Sequence, residues 1–255
     1  MTKSHPLPRQ TTLDLAHAPE VRLSTFIASG NESLISALKT LESTWGTPRP
    51  SISSALKIDQ RLIHAWGPSG SGRTHILQAM VATGQDLNIP SLLLNHDSSP
   101  DVWRMASLEL ENAADKVALL CVDDVDHLDD FGQGALFRLH NLIKDSPHQV
   151  LITTSSLPPA SLRLRDDLRT RLAWGLVFQM HTLSDAEKLN ALEKAATARG
   201  LNLSSDVTPW LLRHFHRDMP SLMALLEAID VYSLETKRAV TLALVKEMLS
   251  PKNSA

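Results

Sequence analysis

Two segments about 50 residues apart carry the residue types that handle phosphate. The first, Gly67-Pro68-Ser69-Gly70-Ser71-Gly72-Arg73-Thr74, has the spacing G-x-x-x-x-G-K-[ST] with Arg in place of Lys. Gly67, Gly70 and Gly72 let the backbone curl until several N–H groups face one phosphate, and the following helix adds its positive end. Thr74 offers a hydroxyl to Mg2+. A Gly-rich turn without a ligand is the plainer reading. A strand before it, a helix after it and Thr at the last position favour the phosphate loop. Arg73 keeps the charge but replaces a compact ammonium with a planar fork, so nucleotide binding is expected to survive better than hydrolysis. The second segment, Ala118-Leu119-Leu120-Cys121-Val122-Asp123-Asp124, is an apolar strand ending in two carboxylates, the Walker-B pattern. Asp123 would hold Mg2+ through water, and Asp124 would orient an attacking water. Asp126, Asp129 and Asp130 follow, so an acidic solvated turn is the alternative; the phosphate loop upstream outweighs it.

Other catalytic chemistries find little support. No G-x-S-x-G or H-E-x-x-H occurs, and the 11 histidines do not cluster with carboxylates at ligand spacing. His214 and His216 are two apart on a predicted helix, hence on different faces. Cys121 lies inside an apolar strand, where a small buried hydrophobe is expected rather than a nucleophile. Leu162 to Leu172 carries four arginines and two aspartates. It reads either as a solvated, self-paired helix face or as the bearer of an arginine finger, a cation projected into a neighbour's nucleotide site.

The elements that must position these residues follow from periodicity. Short apolar runs at Arg61–Trp66, Ser91–Leu94, Val117–Val122, Gln149–Thr154 and Trp174–Met180 predict strands. Runs apolar throughout, separated by helical segments, indicate a parallel sheet covered on both faces. Helical spacing marks Ser33–Leu41, Thr74–Thr83 and Gly134–Lys144, and Thr44–Ser54 reads as a surface loop. After His181 come four helical stretches, Ser184–Arg199, Ser205–His216, Ser221–Thr236 and Leu242–Leu249, the first three opening on a serine with Asp or Glu capping chemistry nearby. The expected organisation is a flexible tail over 1–20, an α/β nucleotide-binding domain over 21–180 and a small all-α lid over 181–255. The 255 residues are 43% hydrophobic and 21% charged, with one cysteine, so no disulfide scaffold is possible. No apolar run reaches membrane-spanning length and no signal peptide is visible, so a cytoplasmic location is expected. A net charge of −3 argues against direct electrostatic capture by DNA or acidic lipid.

Together the motifs and their order resemble the AAA+ family: a P-loop base with a helix-flanked parallel sheet, followed by a helical lid. They are most similar to its DnaA-related branch, in particular the Hda group of DnaA regulatory inactivators. The resemblance rests on Thr25-Phe26-Ile27 with Asn31, Gly67 to Thr74, Cys121 to Asp124, Leu151 to Thr154 with Pro158-Pro159, Arg171-Leu172-Ala173-Trp174-Gly175, and Leu183 to Leu189. It implies that Phe26 and Asn31 pack adenine and that Arg171 is the arginine finger. It also implies ADP or ATP with Mg2+ as cofactors. Two departures stand out. Ser155 occupies the sensor-I position usually held by aspartate, and Pro220 falls where the lid presents its sensor-II arginine, with Arg217 three residues away. With Arg73, these point to a site that holds nucleotide rather than turning it over.

Within the tail, Gln10-Thr11-Thr12-Leu13-Asp14-Leu15 fits the sliding-clamp pattern Gln-x-x-Leu-x-(Leu/Phe), with Gln10 for hydrogen bonding and Leu13 and Leu15 as apolar anchors. Alone it reads as linker; the resemblance turns it into a motif for the β sliding clamp of DNA polymerase III. The expected function is a replisome-associated adaptor in the cytoplasm. It reaches DNA through the clamp, presents Arg171 to ATP on DnaA and so represses re-initiation, with a homo-oligomer as a possible state. The alternative is a self-hydrolysing ATPase of the helicase-loader type, kept open by Asp124. An origin-binding initiator is disfavoured: nine Lys/Arg against nine Asp/Glu from His181 onward give no basic footprint, and no helix-turn-helix is expected after the lid.

Overall fold

The computed structural model describes residues 21–45, 58–113, 116–215 and 218–250. Contacts divide them into one compact unit over Val21–Leu183 and a second from Ser184 onward. In the first unit five parallel strands form one sheet: β1 (Leu62–Trp66), β2 (Ser91–Leu94), β3 (Ala118–Val122), β4 (Gln149–Ser155) and β5 (Leu176–Gln179), in the order β2-β3-β4-β1-β5. Strand residues alternate between two cores. Ile63, Ala65, Leu119, Cys121, Val150 and Ile152 enter one; Leu62, Leu120, Val122 and Leu151 enter the other. Period-2 alternation between two apolar layers is why these strands read as unbroken apolar runs.

One layer is closed by α1 (Glu32–Trp45) and α3 (Arg73–Asp86), through Leu34, Leu38, Ile76 and Leu77. The other is closed by α4 (Pro100–Asn112), α5 (Asp130–Asp145) and α6 (Asp166–Leu172), through Trp103, Leu110, Leu136, Leu139 and Leu168. A four-residue helix, α2 (Ile58–Arg61), leads into β1. The expected parallel sheet between helices is present, with local differences. Helix α4 lacked an assigned place in the sequence reading; Pro100 at its first turn and Trp103, Ala106 and Leu110 on its buried side are the signals that mark it. Helix α5 starts four residues early because Asp129 caps it, accepting from Gly132 N at 2.8 Å. Strand β5 omits Trp174 and Gly175, which form a turn after α6. Helix α1 runs through Thr44 to Trp45, the first two residues of the expected loop, and 46–57 lie outside the described residues.

The second unit is helical: α7 (Asp185–Ala198), α8 (Val207–His214), α9 (Met219–Thr236) and α10 (Leu242–Leu249) around Leu192, Leu211, Leu222, Leu226 and Leu244. A single parallel bridge joins Leu203 to Val240. Ser184 caps α7 in a reciprocal capping box with Glu187, as its position suggested. In the next two the N-cap position falls to a nearby aspartate rather than to the serine. Asp206 starts α8, and Asp218 caps α9 by accepting from Ser221 N at 2.9 Å, which admits Pro220 into the first turn where no N–H partner is needed. Among the described residues no helix is long and apolar enough to cross a membrane.

Candidate functional site

The phosphate loop leaves the end of β1 and is shaped by close backbone approaches. Gly67 N donates to Ser155 O at 3.1 Å, and a Cβ on Gly67 would lie 2.5 Å from Met180 O. Gly72 has φ +93°, and a Cβ there would meet the Phe26 ring at 2.5 Å. Gly70, at φ +80°, faces open space. The Ser71 hydroxyl is buried without a hydrogen-bond partner. A glycine loop turning through positive φ at the start of a 14-residue helix, with the unspent Ser71 donor, fits a phosphate group.

Beside it lies a carboxylate–hydroxyl cluster at the ends of β3 and β4. Thr74 Oγ1 donates to Asp123 Oδ2 at 2.6 Å, and Thr154 Oγ1 donates to Asp123 Oδ1. Asp124 N, in left-handed conformation (φ 46°), donates to Asp123 Oδ1 and Thr154 Oγ1, both at 3.1 Å. Hard oxygen donors from Thr74 and Asp123 at one point suit Mg2+. Arg73 does not extend freely: its Nη2 stands 3.0 Å from Asp124 Oδ1, while its Nη1 is buried without a hydrogen bond. Burial raises the Asp124 carboxyl above the ordinary range, against the pull of Arg73. Burial also pushes Asp126 up, but hydrogen bonds from Ser156 N and Oγ outweigh it and hold Asp126 below that range. Cys121 is wholly buried, and its thiol is raised first by burial and then by the Asp123 charge, consistent with a core side chain.

Other residues singled out in the sequence have different partners. The Ser155 hydroxyl, fully buried, donates to Leu157 O at 2.6 Å and lies 2.9 Å from His64 Nε2. It must therefore accept from Nε2–H, leaving His64 Nδ1 to accept from Thr153 Oγ1 at 2.8 Å. Burial lowers the His64 pKa to about 4, partly opposed by the Asp126 charge. Asn31 is 3% exposed and has its amide committed to backbone: Nδ2 donates to Ser29 O and His181 O, and Oδ1 accepts from His181 N at 2.8 Å. Phe26 leans on Gly72 and lies 5.7 Å from the His75 ring. Gln10, Leu13, Leu15 and Arg217 lie outside the described residues.

The model of the bacterial DnaA ATPase domain matches residues 51–179, which hold both the phosphate loop and the Asp123–Asp124 pair. The chain belongs to the bacterial DnaA ATPase-domain family. Residues 185–249 match the Hda lid domain, so this is an Hda/DnaA-related AAA+ protein. Solved structures agree on the fold. Domain III of DnaA from Thermotoga maritima superposes with a TM-score of 0.61 at 19% identity, over 91% of this chain and 98% of that one. AMPPCP-bound DnaA from Aquifex aeolicus gives 0.61 at 20%, over 85% and 67%. A RuvB point variant from Thermotoga maritima gives 0.59 at 12%, over 90% and 71%.

In this DnaA-related chain Arg171 lies in the last turn of α6 and against aromatic rings, its guanidinium 4.5 Å from the Phe137 ring centre and 5.0 Å from that of Trp174. Its Nη1 is buried without a hydrogen-bond acceptor. The neighbouring arginines differ: Arg165 pairs with Asp167 at 2.7 Å and Arg169 with Asp166 at 2.8 Å. Sequence reasoning missed Thr154, His64, Phe137 and Trp174 as members of these networks. A weak signal existed for the first: Thr153 and Thr154 are polar residues inside a strand buried throughout, where a hydroxyl needs a partner. Trp174 stands in the Arg171-Leu172-Ala173-Trp174-Gly175 stretch, but its ring contact with Arg171, like that of Phe137, is made only in the fold.

Proposed function

We propose that this chain is an Hda-type adaptor that holds an adenine nucleotide and supplies Arg171 to ATP bound on DnaA, docking through Gln10, Leu13 and Leu15 on the DNA-loaded β sliding clamp. The observation that carries this reading is the Arg73–Asp124 ion pair. It sets the cation that would meet the phosphates against the carboxylate that would orient water, which supports holding nucleotide over turnover. Thr74 and Asp123 would hold Mg2+, whose charge offsets that of the β- and γ-phosphates. The Hda-type lid and the DnaA-type base support a role in replication control. Arg171 then acts in the partner's site, where a cation at the transferring phosphoryl group raises hydrolysis by orders of magnitude.

The test is hydrolysis of ATP by DnaA with clamp loaded on DNA. Wild-type chain should stimulate it, and Arg171→Ala should abolish the stimulation; full stimulation by Arg171→Ala would reject the proposal. Removing Gln10 to Leu15 should abolish the clamp dependence. A self-hydrolysing ATPase is the second reading, favoured by the intact Thr74–Asp123 contact. ATP turnover by the isolated chain, lost in Asp124→Asn, would select it.

A further inference from the structure

Trp174 is 48% exposed, an unusual setting for so large an apolar side chain, and it gathers cations. Arg171 lies 5.0 Å and Lys144 5.4 Å from its ring, and His140 meets it edge-on at 6.1 Å. The backbone places Trp174 and Arg171 together: Trp174 N donates to Arg171 O at 3.1 Å in the turn after α6. Gly175 anchors that turn on β1, because a Cβ there would lie 1.8 Å from Leu62 O. On α6 the two aspartates are taken by Arg165 and Arg169, so Arg171 has rings for neighbours instead of a carboxylate.

That difference matters chemically. A carboxylate partner would neutralise the guanidinium and consume its donors, whereas π faces confine it and leave the N–H groups unspent. Nη1 is buried without an acceptor, which marks the guanidinium as unneutralised, and the partly exposed side chain leaves its other donors to face a partner. We propose that Trp174 is a positioning residue for Arg171: with Phe137 behind, its ring holds the guanidinium oriented and unneutralised for an anionic phosphate oxygen of a neighbouring molecule. This rests on the reading of Arg171 as an arginine finger. Trp174 touches no reacting atom and acts by restricting where the guanidinium can be.

The experiment compares full-length wild type, Trp174→Ala, Trp174→Phe and Arg171→Ala in DnaA ATP hydrolysis with clamp loaded on DNA. Each chain is titrated to separate the maximal rate from the half-maximal concentration. Trp174→Ala should lower the maximal rate about ten-fold with the half-maximal concentration unchanged, and Trp174→Phe should stay within about two-fold of wild type. Arginine side-chain NMR of the isolated chain supplies a second reading. Arg171 resonances should show a ring-current shift that Trp174→Ala reduces to the Phe137 share and Trp174→Phe partly retains. An unchanged or higher maximal rate in Trp174→Ala, with Arg171→Ala inactive, overturns the positioning role and leaves the finger intact. A change confined to the half-maximal concentration makes Trp174 a docking contact and also overturns it. Full activity of Arg171→Ala instead removes the finger reading on which this inference stands. Should Trp174→Ala fail to fold, Trp174→Phe and the NMR shift decide: no ring-current shift in the wild type overturns the proposal.

Discussion

Replacing Asp124 by Asn removes the charge that Arg73 faces at nearly constant volume. Arg73 Nη2 and Asp124 Oδ1 are 3.0 Å apart, with side chains 12% and 29% exposed. At an effective dielectric of about 20, unit charges about 4 Å apart attract by about 4 kcal/mol, and desolvation of both groups consumes most of it. A net of about 1–2 kcal/mol then holds the pair. The ligand-free variant loses the Arg73 attraction but also sheds the burial cost that raises the Asp124 carboxyl, so its own stability changes little. A bound diphosphate supplies an anion for Arg73 and no longer competes with Asp124. Nucleotide no longer has to break the pair, so that attraction reappears as affinity, about 5- to 30-fold tighter for ADP. Calorimetric titration of the full chain with ADP and Mg2+ measures it. Thermal unfolding without nucleotide is the control, with Tm within about 2 °C of wild type. Equal or weaker ADP binding would refute the pair as an energetic lock.

Three further outcomes follow from the geometry. His64 is buried neutral with its pKa lowered from 6.5 to about 4. The unfolded chain therefore takes up a proton below pH 6.5 that the folded chain refuses, costing about 3 kcal/mol between pH 6.5 and 4. Urea unfolding across that window should show a smaller pH-dependent loss in His64→Gln; an identical loss would contradict the assignment. Gly72→Ala should destabilise by more than about 1 kcal/mol, from φ +93° and the 2.5 Å approach to Phe26. Adding Phe26→Ala should not bring full relief in thermal unfolding, because the backbone term persists. Asn31→Ala removes the amide bridging Ser29, Asn31 and His181, at about 2–3 kcal/mol. Hydrogen exchange at His181 N–H should accelerate accordingly; unchanged protection would count against the bridge.

The sequence by itself determined the parts whose cause is local. Glycines at Gly70 and Gly72 are needed wherever the chain turns through positive φ, and the glycine spacing announces the loop without reference to anything distant. The buried strands were legible because both faces of the sheet are covered, which makes every strand residue of β3 apolar. Helix α4 was harder to place: its buried side is three residues wide, Trp103, Ala106 and Leu110, among exposed Met105 and Leu108.

Pairings across the fold were decided only in three dimensions. Strand order brings the end of β3 beside the end of β4 and next to the loop after β1, so Asp123 meets both Thr74 and Thr154. The same packing gives Arg73 to Asp124, commits the Ser155 hydroxyl to His64, and seats Arg171 on Phe137 and Trp174. Sequence names the charges present because composition is local. Which charge is neutralised and which stays free depends on distances of a few ångströms between residues far apart in the chain, and tertiary packing alone sets those distances.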